Sequence, residues 1–204
     1  MGLFPLELVL LPTERVPLHI FEPRYRELIS ECVEKEREFG LVLDDEDGMR
    51  KIGTATTVVE VVHRFDDGRL NVVVEGRKRF RIVALTDGRS FVTAEIDAFD
   101  DDAEGAPTAE ETERVLARFR RLLEITETEG VDELLPGSPI LSFELAARVD
   151  FGNELKQELL ELRSERARLE RLGELLERAA RALAREREVH ERASGNGKVT
   201  PHHD

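Results

Sequence analysis

Three arginines at alternating positions, Arg77, Arg79 and Arg81, make a concentrated basic stripe on an acidic chain. They fall in a stretch whose β-branched and aromatic content predicts a strand. A period of two would therefore put all three guanidiniums on one face and Phe80 and Ile82 on the other. Such a stripe suits phosphates or acidic peptides. It equally suits a solvated outer face paired with acids such as Glu75. No tyrosine or tryptophan interleaves with it as a stacking platform, which counts against single-stranded RNA.

Other reactive residue types are sparse. His19 lies between Leu18 and Ile20 in a strand and reads as a packed, hydrogen-bonded histidine, and His63 reads the same way. Cys32 falls on an apolar helical stripe and reads as a buried, inert thiol, because nothing beside it would lower its pKa. His202, His203 and Asp204 have metal-ligand chemistry but sit in a polar tail. The chain has no G-x-x-x-x-G-K-[ST] phosphate loop, no G-x-S-x-G elbow, no H-E-x-x-H helix and no serine–lysine spacing that suggests a dyad. No catalytic residue, cofactor or metal is expected.

Composition sets the frame for these residues. The 204 residues carry a formal net charge of −14, which argues against general nucleic-acid or anionic-membrane binding. One cysteine excludes an internal disulfide and fits a reducing compartment. No apolar run approaches the roughly 20 residues that span a bilayer, and no signal peptide opens the chain. A cytoplasmic protein is expected.

The elements that would position these side chains divide at about residue 100. Before it, Phe4, Leu6, Leu8 and Leu10 alternate as one strand, which Pro12 ends, and Pro17 starts the next. Pro23 opens a helix whose stripe is Tyr25, Leu28, Ile29, Cys32 and Val33. Further strands cover Phe39–Leu43, residues 52–63, Leu70 to Glu75, the arginine stretch and Phe91–Phe99. Turn signals separate them at Asp66-Asp67-Gly68, Glu75-Gly76 and Asp87-Gly88. Many short strands with one early helix predict a small closed or nearly closed barrel over residues 1–99.

An acidic linker over 100–107 leads into helices over 108–192. Thr108 and Glu111 form a capping-box signature, Ser138-Pro139 is expected to restart a helix, and Glu154 to about Arg192 is expected to be one long helix bent near Gly173. Leu169, Leu172 and Leu176 give that helix a stripe for bundle packing or for a coiled-coil arm. A disordered tail is expected over 193–204.

The run Pro17-Leu18-His19-Ile20-Phe21-Glu22-Pro23-Arg24-Tyr25, preceded by Phe4-Pro5-Leu6, resembles the opening of the Lon protease N-terminal domain. Ile52-Gly53-Thr54-Ala55 and Gly76-Arg77-Lys78-Arg79-Phe80-Arg81-Ile82 match the same family in order and spacing. So do Leu141 to Ala147 and Lys156 to Glu161. The resemblance covers about residues 3–185. It implies an α+β fold: a six-stranded PUA-like β-barrel with one early helix, then a helical bundle with a long final helix. Because the chain stops where the ATPase would begin, it resembles the stand-alone Lon substrate-binding-domain proteins.

The function implied is a non-enzymatic module that binds client polypeptides, adaptor- or chaperone-like, with Lon protease itself a candidate partner. RNA binding through the basic face and structural self-association are the alternatives, and a monomer or weak homo-oligomer is expected. A groove between barrel and helices would hold the polypeptide. Phe21, Arg24 and Tyr25 are expected near it, since aromatic and arginine side chains anchor interfaces. The same three residues could instead lock barrel to helix.

Overall fold

The computed structural model describes residues 1–103, 105–128 and 134–195. The expected tail, with His202, His203 and Asp204, lies outside the described residues apart from its first helical turn. Seven strands form one mixed sheet: β1 (Leu3–Leu6), β2 (Arg15–Ile20), β3 (Phe39–Asp45), β4 (Gly48–Met49), β5 (Ile52–Arg64), β6 (Leu70–Thr86) and β7 (Thr93–Ala98). The order runs β1-β3-β5-β6-β2, with β4 on β3 and β7 on β6. Only β1 and β3 pair in parallel; the other pairs are antiparallel.

A closed six-stranded barrel is not what forms. β2 ends the path as an edge beside β6, and β7 returns to the start of the chain through one isolated bridge, Gly2 to Thr93. β6 changes neighbour along its length, pairing with β2 over Leu70–Glu75 and with β7 over Phe80–Thr86, so the sheet divides there.

Glu75-Gly76 is not a corner either, because β6 runs straight through it. Glycine is needed there for close approach: a Cβ on Gly76 would lie 2.2 Å from the Leu11 carbonyl oxygen. Its backbone also bonds across, Gly76 N–H to Glu14 O (3.0 Å) and Thr13 N–H to Gly76 O (2.8 Å). The turn at Gly68 does form, with φ of 86°, the left-handed region where glycine carries no Cβ penalty.

β1 stops at Leu6 rather than continuing to Leu10. Val9, Leu10 and Leu11 are buried in an irregular segment. Buried backbone groups outside a ladder need other partners, and side chains supply them. Asn153 accepts from Val9 N–H (3.1 Å), Glu14 accepts from Leu11 N–H (2.9 Å), and Thr54 Oγ1 donates to Leu10 O (2.6 Å).

Among the described residues there are five helices, the first between β2 and β3: α1 (Pro23–Glu34), α2 (Ala109–Thr126), α3 (Leu141–Ala146), α4 (Gly152–Glu161) and α5 (Glu165–Gly195). α1 opens on Pro23 and buries Tyr25, Leu28, Ile29 and Cys32 against the sheet. The capping box at α2 is complete: Thr108 Oγ1 accepts from Glu111 N–H, and Glu111 accepts from Thr108 N–H. Ser138-Pro139 sits in a turn, and α3 begins two residues later.

The expected long helix is broken at Leu162–Ser164, not bent at Gly173. Leu162 takes an extended backbone and turns its carbonyl onto two arginines, and the Ser164 side chain accepts from Ala167 N–H to start α5. The stripe Leu169, Leu172, Leu176 and Ala180 is buried inside this molecule, in one core with Val115, Phe119 and Phe143. Val9, Leu11, Leu43, Ile52 and Phe99 reach that same core from the strand half. Sheet and helices therefore share apolar surface rather than meeting through a linker alone.

Candidate functional site

The outer face of β2, β6 and the distal part of β5 carries the most distinctive exposed chemistry. Alternation along β2 sends Ile20 into the core with Leu70, Val72 and Val74, which leaves Pro17 and His19 exposed. His19 and His63 both stand in register with Asn71, one on each side of β6. His19 Nδ1 hydrogen-bonds Asn71 Oδ1 at 2.6 Å. Phe21, one residue past β2, is 61% exposed and stacks on the His19 ring at 6.0 Å.

Phe65, just past β5, meets His19 edge-on at 5.9 Å and His63 at 4.4 Å, and Arg69 covers its other side at 4.9 Å. Two aromatic rings and two imidazoles thus gather at one end of the sheet. Val59 and Val62, left without register partners by two β-bulges, are exposed on β5. An exposed phenylalanine forgoes about 1.5–3 kcal/mol of burial free energy, and Phe21 is one such residue.

The three residues expected to act together have different fates. Phe21 is free to touch a partner. Tyr25 is a core residue, its ring 4.2 Å from that of Phe4 and its hydroxyl pKa pushed up by burial. Arg24 is exposed, bonded to Glu22 at 2.8 Å and lying 4.7 Å over the Tyr25 ring.

The arginine stripe is divided. Arg77 is exposed and pairs with Glu75 at 2.7 Å, and Arg81 is exposed near the Phe99 ring. Arg79 between them is buried, because the helical half covers the sheet at that point. It donates to the carbonyls of Leu160 (2.8 Å) and Leu162 (2.6 Å) and to the Asp101 carboxylate. Burial and the neighbouring Arg168 charge hold its pKa below the usual arginine range. A face of three available cations therefore does not exist.

Arg168 completes this buried junction and is wholly inaccessible to solvent. It spends all five N–H donors: on Ser142 Oγ (3.0 Å), on both Asp101 oxygens (2.6 Å each), on Leu162 O (2.8 Å) and on Glu165 (2.8 Å). Phe143 lies 4.4 Å beneath its guanidinium. Glu165 also accepts from Ser142 N–H (2.8 Å) and Oγ (2.6 Å). Burial pushes the Glu165 pKa up against those bonds, whereas the two arginines overcome burial at Asp101 and hold its pKa down.

A groove of about 880 Å³ does open between the two halves, bounded by Thr13–Arg15 on one side and by Leu134, Leu135 and Arg148 on the other. The Glu14 carboxylate at its edge is buried and takes Lys156 Nζ at 2.5 Å. Phe21, Arg24 and Tyr25 do not line it. Cys32 is buried with its pKa pushed up to about 11 by that burial, so the thiolate nucleophile is scarce at neutral pH.

Phe65 and the valines escaped the sequence reading. The usable signal was an aromatic residue directly before Asp66-Asp67-Gly68, where a hairpin end is exposed.

The architecture is a mixed sheet with an exposed aromatic end, joined to a helical cap through buried ion pairs. Residues 1–178 match the family described as the ATP-dependent protease La (LON) substrate-binding domain, and the chain belongs to that family. It is 23% identical over 201 residues to Lon protease 1 of Hydrogenovibrio crunogenus, covering 91% of this chain and 24% of that protein. With Lon protease 2 of Myxococcus xanthus it shares 29% over 196 residues, covering 86% and 23%. It thus spans about a quarter of the length of these relatives, and the substrate-binding domain alone is matched.

Among solved structures, the fold is that of a Lon N-terminal domain protein from Xanthomonas campestris. The TM-score is 0.66 at 24% identity, over 84% of this chain and 95% of that one. The N-terminal domain of the Mycobacterium avium complex Lon protease superposes with a TM-score of 0.64 at 18% identity, over 86% and 97%. Among the described residues no helix is long and apolar enough to cross a membrane.

Proposed function

We propose that this chain is a non-catalytic module that recognises polypeptides in the cytoplasm, presenting them to or withholding them from a proteolytic machine. The proposed contact surface is the sheet end formed by Phe21, His19 and Phe65 with Val62. The observation that carries the reading is Phe21, 61% exposed and held in place by the His19 ring. Large aromatic side chains at a surface are the usual anchors of recognition. Membership in a substrate-binding family supports the same reading. An adaptor role with a Lon protease, or a chaperone-like role without one, both follow from capture at this surface.

The test is binding of a fluorescently labelled, chemically unfolded and carboxymethylated protein, followed by anisotropy. Phe21→Ser/Val62→Ser removes exposed side chains only and leaves the fold intact. It is expected to weaken binding about ten-fold or more, or roughly 1.4 kcal/mol. Equal binding by the variant moves the site elsewhere. No binding by the unaltered protein defeats the module reading.

A further inference from the structure

A second concavity, of about 790 Å³, lies between the β3–β4 hairpin with Arg50 on one side and α4 on the other. Seven carboxylates line it against one guanidinium, that of Arg50. Arg50 is already shared by Asp45 (3.0 Å) and Asp47 (3.2 Å), and Glu158 is held by Arg171 at 2.6 Å. Among the described residues Glu7, Glu46 and Glu154 make no ion pair.

Acidity alone would describe only a solvated surface. Gln157 adds something different. It lines the cleft at 6% exposure, and its Nε2 donates to Ile52 O (3.2 Å) and to Glu161 Oε1 (2.7 Å). Both partners are acceptors, so the amide cannot be turned over without setting oxygen against oxygen. Its Oε1 is left without a donor. Across the cleft Arg50 Nε is buried without an acceptor. A buried polar group left unmet costs about 1–3 kcal/mol. The cleft therefore favours a ligand that brings a donor, an acceptor and positive charge.

A metal ion brings neither donor nor acceptor, and among the described residues no three His, Cys, Asp or Glu side chains converge to hold one. A peptide group brings both an N–H and a C=O, and lysine or arginine side chains bring the charge. We propose that this cleft binds an extended, lysine- or arginine-bearing polypeptide segment, its backbone serving Gln157 and Arg50 and its cations serving Glu7, Glu46 and Glu154. The inference rests on the polypeptide-recognition reading and supplies it with a second, charge-selective subsite.

The probe is a labelled peptide of lysine, glycine and serine, which has no apolar anchor for the Phe21 surface. Glu7→Gln/Glu46→Gln/Glu154→Gln should weaken its binding about ten-fold. A charge-matched variant on other exposed acids, Glu38→Gln/Glu95→Gln/Asp97→Asn, should bind as the unaltered protein does. Circular dichroism checks that each variant is folded. Equal losses in the two charge variants would overturn the proposal in favour of diffuse attraction by an acidic protein. So would binding no tighter than that of a serine–glycine peptide, or displacement by spermine, a polycation without peptide groups, at the same charge concentration. Loss of basic-peptide binding with retained capture of the unfolded protein separates failure here from failure of the Phe21 surface.

Discussion

Replacing Arg168 with methionine removes one cation from a buried group of two cations and two carboxylates. Arg168 has five hydrogen bonds and no solvent access. Asp101 would keep Arg79, and Leu162 O would keep its second donor, also from Arg79. Glu165 would keep only the two Ser142 bonds, as a buried carboxylate with no cation beside it. Breaking a buried pair from one side costs about 3–5 kcal/mol, because the remaining charge stays desolvated.

The cost must depend on pH, and the sign follows from Glu165. Its folded pKa already lies above the ordinary value of 4.5 through burial, even with Arg168 beside it. A raised carboxyl contributes stability that is complete below its unfolded pKa and is lost as pH rises through the folded one. Without Arg168 the folded pKa rises further, so the loss extends to higher pH. Asp101 works in the opposite sense: held below 3.8, it contributes stability above that value that is lost as pH falls through the folded pKa.

Urea unfolding followed by circular dichroism at about pH 8 and pH 5 should therefore show Arg168→Met losing about 3–5 kcal/mol at the higher pH. The loss at the lower pH should be measurably smaller, because protonation relieves the Glu165 carboxyl left without its cation. Arg168→Lys keeps the charge but cannot reproduce a five-donor fork, and should fall between. A loss under about 1 kcal/mol, or one equal at both pH values, would refute this account of the junction.

Three further outcomes are expected. Gly76→Ala drives a methyl into the Leu11 carbonyl, and should cost about 3 kcal/mol, the upper end for overpacking, in the same urea assay. Thr108→Ala removes the α2 cap and should cost about 0.5–2 kcal/mol, seen as a lowered melting temperature, whereas no change would show that α2 is held by packing alone. Cys32, with a pKa near 11 and a buried sulfur, should react with a disulfide reagent far more slowly in the native protein than in urea; equal rates would mean the α1 stripe opens readily.

Local patterns carried much of this fold and little of its joints. The proline at the start of α1, the stripe from Tyr25 to Cys32 and the Thr108–Glu111 cap are written in neighbouring residues, and all three form as read. Gly76 was misread because a glycine after an acid looks like a turn, whereas its reason is a backbone sixty-five residues away in the chain. The break before α5 carries no proline or glycine; it exists because Arg79 and Arg168 take carbonyls that a continuous helix would have used. For the same reason Arg79 could not be told from Arg77 and Arg81: alternation gives the face, and only the tertiary contact decides what covers it. Among the candidate residues Phe21 was identifiable by type. Its ring partner His19 lies on β2, whereas His63 and Phe65 lie at the far end of β5, and their shared register on Asn71 of β6 brings these two segments together.

The buried Arg79 bonds the wall of the acidic cleft without lining it. α4 forms one wall and is tied to the sheet half by polar bonds: Asn153 to Glu7 O, Lys156 to Glu14, Gln157 to Ile52 O, and Arg79 to Leu160 O. Of these, Arg79 and the Lys156–Glu14 pair lie outside the cleft. Arg79→Met would leave every lining residue in place while freeing the last turn of α4, on which Glu161 and Gln157 hold one another. Basic-peptide affinity should then fall several-fold even at temperatures where circular dichroism shows the variant folded. Affinity unchanged in a folded Arg79→Met protein would mean that Asn153, Lys156 and Gln157 suffice to place the wall, and that the buried arginines serve stability alone.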